Sequence, residues 1–274
     1  MKIIHNLGIL SINKDVNENV GFLLTNKKGS YCSFYDAPAS RYQGLFYFDE
    51  KTMTMYKFIE NIELSDKNKV ISLKNKFYYI KRQRKDIIES FIMPKSHNSL
   101  VYELNFRNKI DLILDCKESY DNREFGRYYD INEEKGCIIV KFTKKTHAQE
   151  DPVHMSEEFS LYLAIKSDSS SFEKNDKWIE RHYTYDEGRS SHPFKRHVYN
   201  ALSLKGTKFI FSMSKNKTNA IKECEYVFNN LDELKKNEKN HFINMLKNDT
   251  IKKIIQNEKM SNEIKIAYIN SINS

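Results

Sequence analysis

The chain has 274 residues, 39% of them hydrophobic and 13% aromatic, enough apolar material for one large core or for a domain with an appendage. Its 17 Tyr and 17 Phe stand against 4 Pro and 8 Gly, a balance that excludes a disordered or low-complexity chain and favours strands. The net charge of +8 would suit a nucleic acid if it were gathered on one face, but the densest basic stretch, KRQRK at 81–85, runs straight into Asp86 and Glu89, the pattern of a solvated surface.

From the N-terminus, MKIIHNLGILSINKD is too short in apolar residues for a signal peptide, and no stretch approaches the ~18 uninterrupted apolar residues of a membrane span. Cys32, Cys116, Cys137 and Cys224 lie far apart, with no CxxC pair and no zinc spacing among them and the 8 histidines. They read as reduced core residues of a cytoplasmic protein, and no metal or other cofactor is expected.

Between about residues 20 and 213 the apolar period is two. Residues 21–48 read as two strands around an irregular turn. Leu100, Tyr102, Leu104 and Phe106, then Ile110, Leu112, Leu114 and Cys116, predict a hairpin with a short polar turn. Residues 137–142 and 159–165 predict another strand pair, joined by a polar connection holding His147, Pro152 and His154. In VYNALSLKGTKFIFSMS, Lys205 and Gly206 supply turn chemistry for a third hairpin. Strand signals this dense, without helices between them, predict a mainly β fold: a large antiparallel β-sandwich of two stacked sheets over 1–217. After Lys217 the apolar period changes to three and four, through Ile221, Cys224, Phe228, Leu231 and Leu234. Residues 218–274 are therefore expected to be helical, with one long helix to about residue 247 and two shorter ones starting near Asp249 and Asn262.

The stretch FLLTNKKGSYCSFYDAPASRYQGLFY resembles the signature of the N-terminal domain of bacterial and archaeal glycogen debranching enzymes of the amylo-α-1,6-glucosidase type. Thr25, Asn26, Gly29 and Tyr31 match its first half, and Arg41, Tyr42, Gly44 and Leu45 its second. Lys27 and Ser30 stand where the family has Gly, Ser40 where it has Thr, and Gln43 where it has His. The segments 78–106 and 178–214 resemble later parts of the same domain, and NEIKIAYINSINS resembles the opening helix of the family's catalytic (α/α)6 barrel.

The resemblance implies a non-catalytic sandwich that packs against the barrel in cis, shapes the entrance to its active site and holds an α-glucan such as glycogen or a maltodextrin. The catalytic acids are expected on the barrel, beyond Ser274. Asn26, Arg41, Tyr42, Gln43, Trp178 and Glu187 are then candidates for glucan contact or for the domain interface, with Gly29 and Gly44 structural.

Chemistry alone leaves two roles open for the 41–44 stretch: a guanidinium, a ring and an amide suit a glucan, and equally a buried polar corner that pins the loop. Trp178, with Tyr183 and Tyr185, reads as a sugar platform or as sheet-edge packing. Glu124, Glu157, Glu158, Asp186 and Glu187 read as solvated or salt-bridged surface acids, and His182, His192 and His197 lack metal-ligand spacing. The alternatives to the debranching-enzyme reading are a stand-alone glucan-binding or scaffold module and, from charge alone, a nucleic-acid-binding protein using the KRQRK region.

Overall fold

The computed structural model describes residues 2–7, 11–15, 19–65, 68–146, 156–169 and 171–273. In chain order the strands are β1 (Lys2–Asn6), β2 (Ser11–Asp15), β3 (Phe22–Thr25), β4 (Tyr31–Phe34), β5 (Gly44–Asp49), β6 (Thr54–Leu64), β7 (Ser72–Asn75), β8 (Ile80–Gln83), β9 (Ile88–Ile92) and β10 (Ser99–Glu118). There follow β11 (Arg127–Glu134), β12 (Cys137–Thr146), β13 (Ser156–Ser167), β14 (Phe172–His182), a short helix α1 (Thr184–Gly188) and β15 (Lys195–Ser214). Four helices close the chain: α2 (Lys217–Asn229), α3 (Leu231–Leu246), α4 (Asp249–Gln256) and α5 (Asn262–Asn273). The connection carrying His147, Pro152 and His154 lies outside the described residues.

The fold is mainly β, a large antiparallel sheet with a C-terminal helical region. Two 20-residue strands, β10 and β15, organise it. They pair with each other from Ser99↔Ser212 to Leu114↔Tyr199, and their neighbours change halfway along. The first half of β10 pairs with β9 and its second half with β6, while β15 pairs first with β14 and later with β13. One hydrogen-bonded sheet is thereby divided into two layers. β1, β2, β7, β8, β9, β13, β12 and β11 extend one layer, and β3 to β6 and β14 extend the other. Rings from unpaired strands meet between them: Phe22 and Phe91 at 4.7 Å, Tyr56 and Phe159 at 5.2 Å, Tyr129 and Tyr199 at 4.4 Å. This shared apolar filling is the main core.

The two expected hairpins over 100–116 and 198–214 are therefore corrected: each is a single bent strand. The residues with turn chemistry make the bend. The β10–β15 register shifts between Glu103 and Asn108, opposite Lys208 and Gly206, as a bulge does. Asp168, just past β13, holds this bend open. Its carboxylate accepts from the Thr207 amide at 3.0 Å and the Lys208 amide at 3.3 Å, satisfying donors that a reversal would have paired internally. A Cβ at Gly206 would collide with that carboxylate.

α2 buries Ala220, Ile221, Cys224, Val227 and the following Leu231 against Val101, Cys137, Ile139, Ala164 and Ile210 on the outer face of the first layer. The expected long helix breaks at Asn230, whose side-chain amide donates to the Tyr226 carbonyl at 2.8 Å and so competes with the helical ladder. Phe242, Ile251, Ile266 and Ile269 gather on Phe77, while Ile243, Ile264, Tyr268 and Ile272 are exposed. No helix among the described residues is long and apolar enough to cross a membrane.

Half of the KRQRK charge is turned inward. Arg82 is fully buried and forks onto Glu89, with both bonds at 2.6 Å. Arg84 reaches the same carboxylate at 2.9 Å and Asp36 at 2.7 Å, and the Tyr102 hydroxyl donates to Glu89 at 2.9 Å. Burial would raise the Glu89 carboxyl, but the two guanidiniums hold it below its ordinary value. Replacing Glu89 by Ala would leave both arginines short of their counter-charge, so Glu89→Ala is expected to lose roughly 3–5 kcal/mol in urea denaturation; a loss under about 1 kcal/mol would contradict this role.

Candidate functional site

The 36–44 loop is held by a side chain 145 residues further along the chain. Asp186, fully buried in α1, accepts from Ser40 Oγ at 2.9 Å, the Arg41 amide at 2.8 Å, Arg41 Nη1 at 3.2 Å and Arg189 Nη2 at 3.0 Å. Arg41 Nη1 also donates to the Ser191 carbonyl at 2.7 Å. The Gln43 side-chain carbonyl accepts from the Ala39 amide at 2.8 Å and from that of Ser40 at 3.3 Å. Arg41 and Gln43 are thus buried in a polar corner joining 36–44 to 183–194. Asp186, expected at the surface, is its hub.

Gly44 has φ of +123°, and a Cβ there would strike the Ile59 carbonyl oxygen; this close approach seats the loop on β6. Tyr42 is left half-exposed. Its hydroxyl accepts from Arg41 Nη2 at 3.2 Å, and its ring meets that of Tyr120, 78% exposed, at 6.0 Å.

Asn26, Gly29 and Trp178 lie apart from this corner in their contacts, whereas Glu187 follows Asp186 in α1. Asn26 is buried in the 25–30 turn, donating to the His97 carbonyl and the Asn98 side chain, both at 3.0 Å, and accepting from the Ser30 amide at 3.1 Å. Gly29, at φ +91°, completes that turn against Phe48. Trp178 on β14 is 41% exposed and is flanked by Arg127, 4.5 Å from the ring centroid, and by Tyr199 at 5.2 Å. Glu187 is exposed and meets His182 Nε2 at 2.9 Å. His197 pairs with Glu124 at 3.1 Å and His192 packs on Phe194. No group of three or more His, Cys, Asp or Glu among the described residues is placed to hold a metal.

Next to the corner lies a cluster that the sequence reading missed. Lys57 Nζ donates to the Arg41 carbonyl at 2.9 Å and pairs with Glu60. On β10, Asp115 and Lys117 alternate with Leu114 and Cys116, which face the core, so the charged pair faces away from it. Asp115 is surrounded by Arg196 at 3.3 Å, Lys57 and Arg127 at 3.4 Å and Lys117 at 4.0 Å. All five side chains are buried, and Lys117 Nζ and Arg196 Nε have no hydrogen-bond partner. The available signal was charge at alternate positions in apolar strands, DLILDCK and YKFIENIEL, which antiparallel pairing brings onto one face.

Burial alone would raise the Asp115 carboxyl, but Lys57, Lys117, Arg196 and Arg127 together hold it well below the carboxylate range. Burial pushes the Lys117 ammonium down from 10.5 to about 7, with Asp115 opposing and Arg196 and Lys57 assisting. Burial likewise raises Glu60, against the pull of Lys57. The arrangement can bind and orient charge strongly. Its carboxylates, closed off from solvent, are poorly placed to meet a substrate.

Asp115→Asn is expected to cost roughly 3–5 kcal/mol, since buried cations would lose their shared counter-charge. Between about 7 and 10.5 the unfolded chain keeps the Lys117 proton that the folded chain releases, so stability rises with pH across that window. Denaturation midpoints should show this rise in the wild type and lose it in Lys117→Met; parallel pH profiles would contradict the assignment. No family model matches the chain and no curated protein matches it, so its function rests on the geometry of its own residues.

Proposed function

We propose that the chain is the non-catalytic sandwich-and-linker part of a glycoside hydrolase similar to the amylo-α-1,6-glucosidases, presenting an α-glucan surface beside a catalytic barrel. The observation that carries this reading is the pair formed by the half-exposed Tyr42, on a loop anchored by Arg41 and Asp186, and the exposed Tyr120, with ring planes 60° apart. Two aromatic faces on a rigid base suit the apolar faces of consecutive glucose units, and the tyrosine hydroxyls suit their edges.

Two further features support it. Glycoside hydrolysis needs two carboxylates flanking an accessible bond. Near the corner, Glu60, Asp115 and Asp186 are each fully buried and ion-paired, which supports a binding role over a catalytic one. On α5, Ile264, Tyr268 and Ile272 recur every four residues and are exposed, an apolar stripe of the kind a following domain covers. A stand-alone glucan-binding module would share the tyrosine pair but leave that stripe bare. The inward pairing of Arg82 and Arg84 removes much of the basic run on which the nucleic-acid reading rests.

The purified chain should be retarded by glycogen in a native affinity gel, equally at low and high salt, because stacking and neutral hydrogen bonds are little screened. Replacing Tyr42 and Tyr120 together by Ala should weaken this by about tenfold or more. Glucose release from a branched dextrin by the pure chain, or mobility indifferent to glycogen, would overturn the proposal.

A further inference from the structure

A cavity of about 350 Å³ opens at one side of the sandwich, where β2 and β7 of one layer face β3, the outermost strand of the other. Its volume is that of a site for one small organic molecule. Ile12 and Lys14 of β2 and Asn75 of β7 line one side, and β3 with Ser33 and Tyr35 lines the other. Phe22 and Leu24 give it an apolar patch shared with the main core.

Residues 21–25 border the cavity without a break, and among the described residues β3 pairs only with β4. The free edge of β3 therefore faces the space, offering backbone donors and acceptors that need partners. Gly21 makes room for the Tyr35 ring, since a Cβ there would come within 2.6 Å of it. The Ser33 and Tyr35 hydroxyls and the half-buried Lys14 ammonium make no hydrogen bond or ion pair with other described residues. Asn75 Oδ1 accepts from the Phe77 amide at 2.7 Å, which leaves the amide donors of that side chain uncommitted.

Among the described residues no Asp or Glu lines the cavity. Asp36, next in the chain to Tyr35, is committed to Arg84 at 2.7 Å. Lys27 also lines the cavity but already has Glu238 and Lys95 in its field, so Lys14 is the cation on offer. A purely apolar ligand would strand the strand edge and the hydroxyls without partners, and a bare inorganic ion would leave the apolar patch uncovered. A hydroxylated ring carrying an anionic group answers all three features. Its hydroxyls suit the β3 edge, Ser33, Tyr35 and Asn75, its ring face suits Phe22 and Leu24, and its anionic oxygens suit Lys14.

We infer that this cavity binds an anionic monosaccharide, either a sugar phosphate or a sugar acid. It shares no lining residue with the Tyr42–Tyr120 pair, so the inference holds or fails independently of the glucan reading.

The test is thermal unfolding of the full chain in glucose 6-phosphate, in glucuronate, in glucose and in inorganic phosphate, at matched ionic strength. An anionic sugar at about ten times its Kd should raise Tm by roughly 2–5 °C, well above the effect of glucose or phosphate. The stronger response of the two anionic sugars tells a phosphate ester from a sugar acid. Lys14→Met, which removes the charge and keeps the apolar stem, should weaken the affinity by about tenfold or more, and Lys236→Met, an exposed control, should leave it unchanged. Neither anionic sugar exceeding glucose and phosphate, or unchanged affinity in Lys14→Met, would overturn the site. If Lys14→Met does not fold, Tyr35→Phe, which keeps the ring on Gly21, decides: affinity weakened by about three- to tenfold supports the site, and unchanged affinity refutes it.

Discussion

One carboxylate, Asp115, faces four cations drawn from three other strands and its own, and much of the second layer depends on that meeting. Lys57 carries the tie from Asp115 to the Arg41 carbonyl, and Arg196 carries it to the 119–125 segment through Asn122. Tyr42 and Tyr120 therefore stand on a base fixed by ion pairs rather than by apolar packing alone. Such pairs add little net stability over a hydrophobic substitute, but breaking one leaves a buried charge without a partner. This asymmetry makes the cluster a device for geometry: the loops are held in the arrangement that keeps these cations around Asp115.

The outline of the fold was legible in the sequence because it follows from periodicity. Alternation through residues 100–116 and 198–214 identifies strands, and the change of period read after Lys217 meets the first residue of α2. Where the strands go was not legible. The short polar stretch before Ile110, and Lys205 with Gly206, have turn chemistry, and the distant Asp168 holds the chain in a bend there instead of a reversal. The single helix expected to residue 247 failed for a local reason of the same kind, since Asn230 can answer a helix carbonyl with its own side chain.

The site was half legible. The run from Arg41 to Gly44 attracted notice because its residue types exceed what a turn needs, and the structure makes Arg41, Gln43 and Gly44 the corner that exposes Tyr42. Tyr120 was invisible, because nothing in its own segment announces that it will stand beside a residue 78 positions earlier. Asp115 and Lys117 were hidden inside an apolar strand, where single charges read as the solvent face of a sheet. Their burial arises from the loops folded over that face, a tertiary fact with no local trace.

The account depends most on the claim that the charges around Asp115 are packed together and shut away from water. A site-resolved NMR titration of the lysine side chains, with Lys117 assigned by substitution, measures this directly. The account predicts a Lys117 ammonium that titrates near 7, far from the other lysines. Titration at the ordinary value of 10.5 would mean that water reaches the cluster, and the buried charge assembly would have to be abandoned.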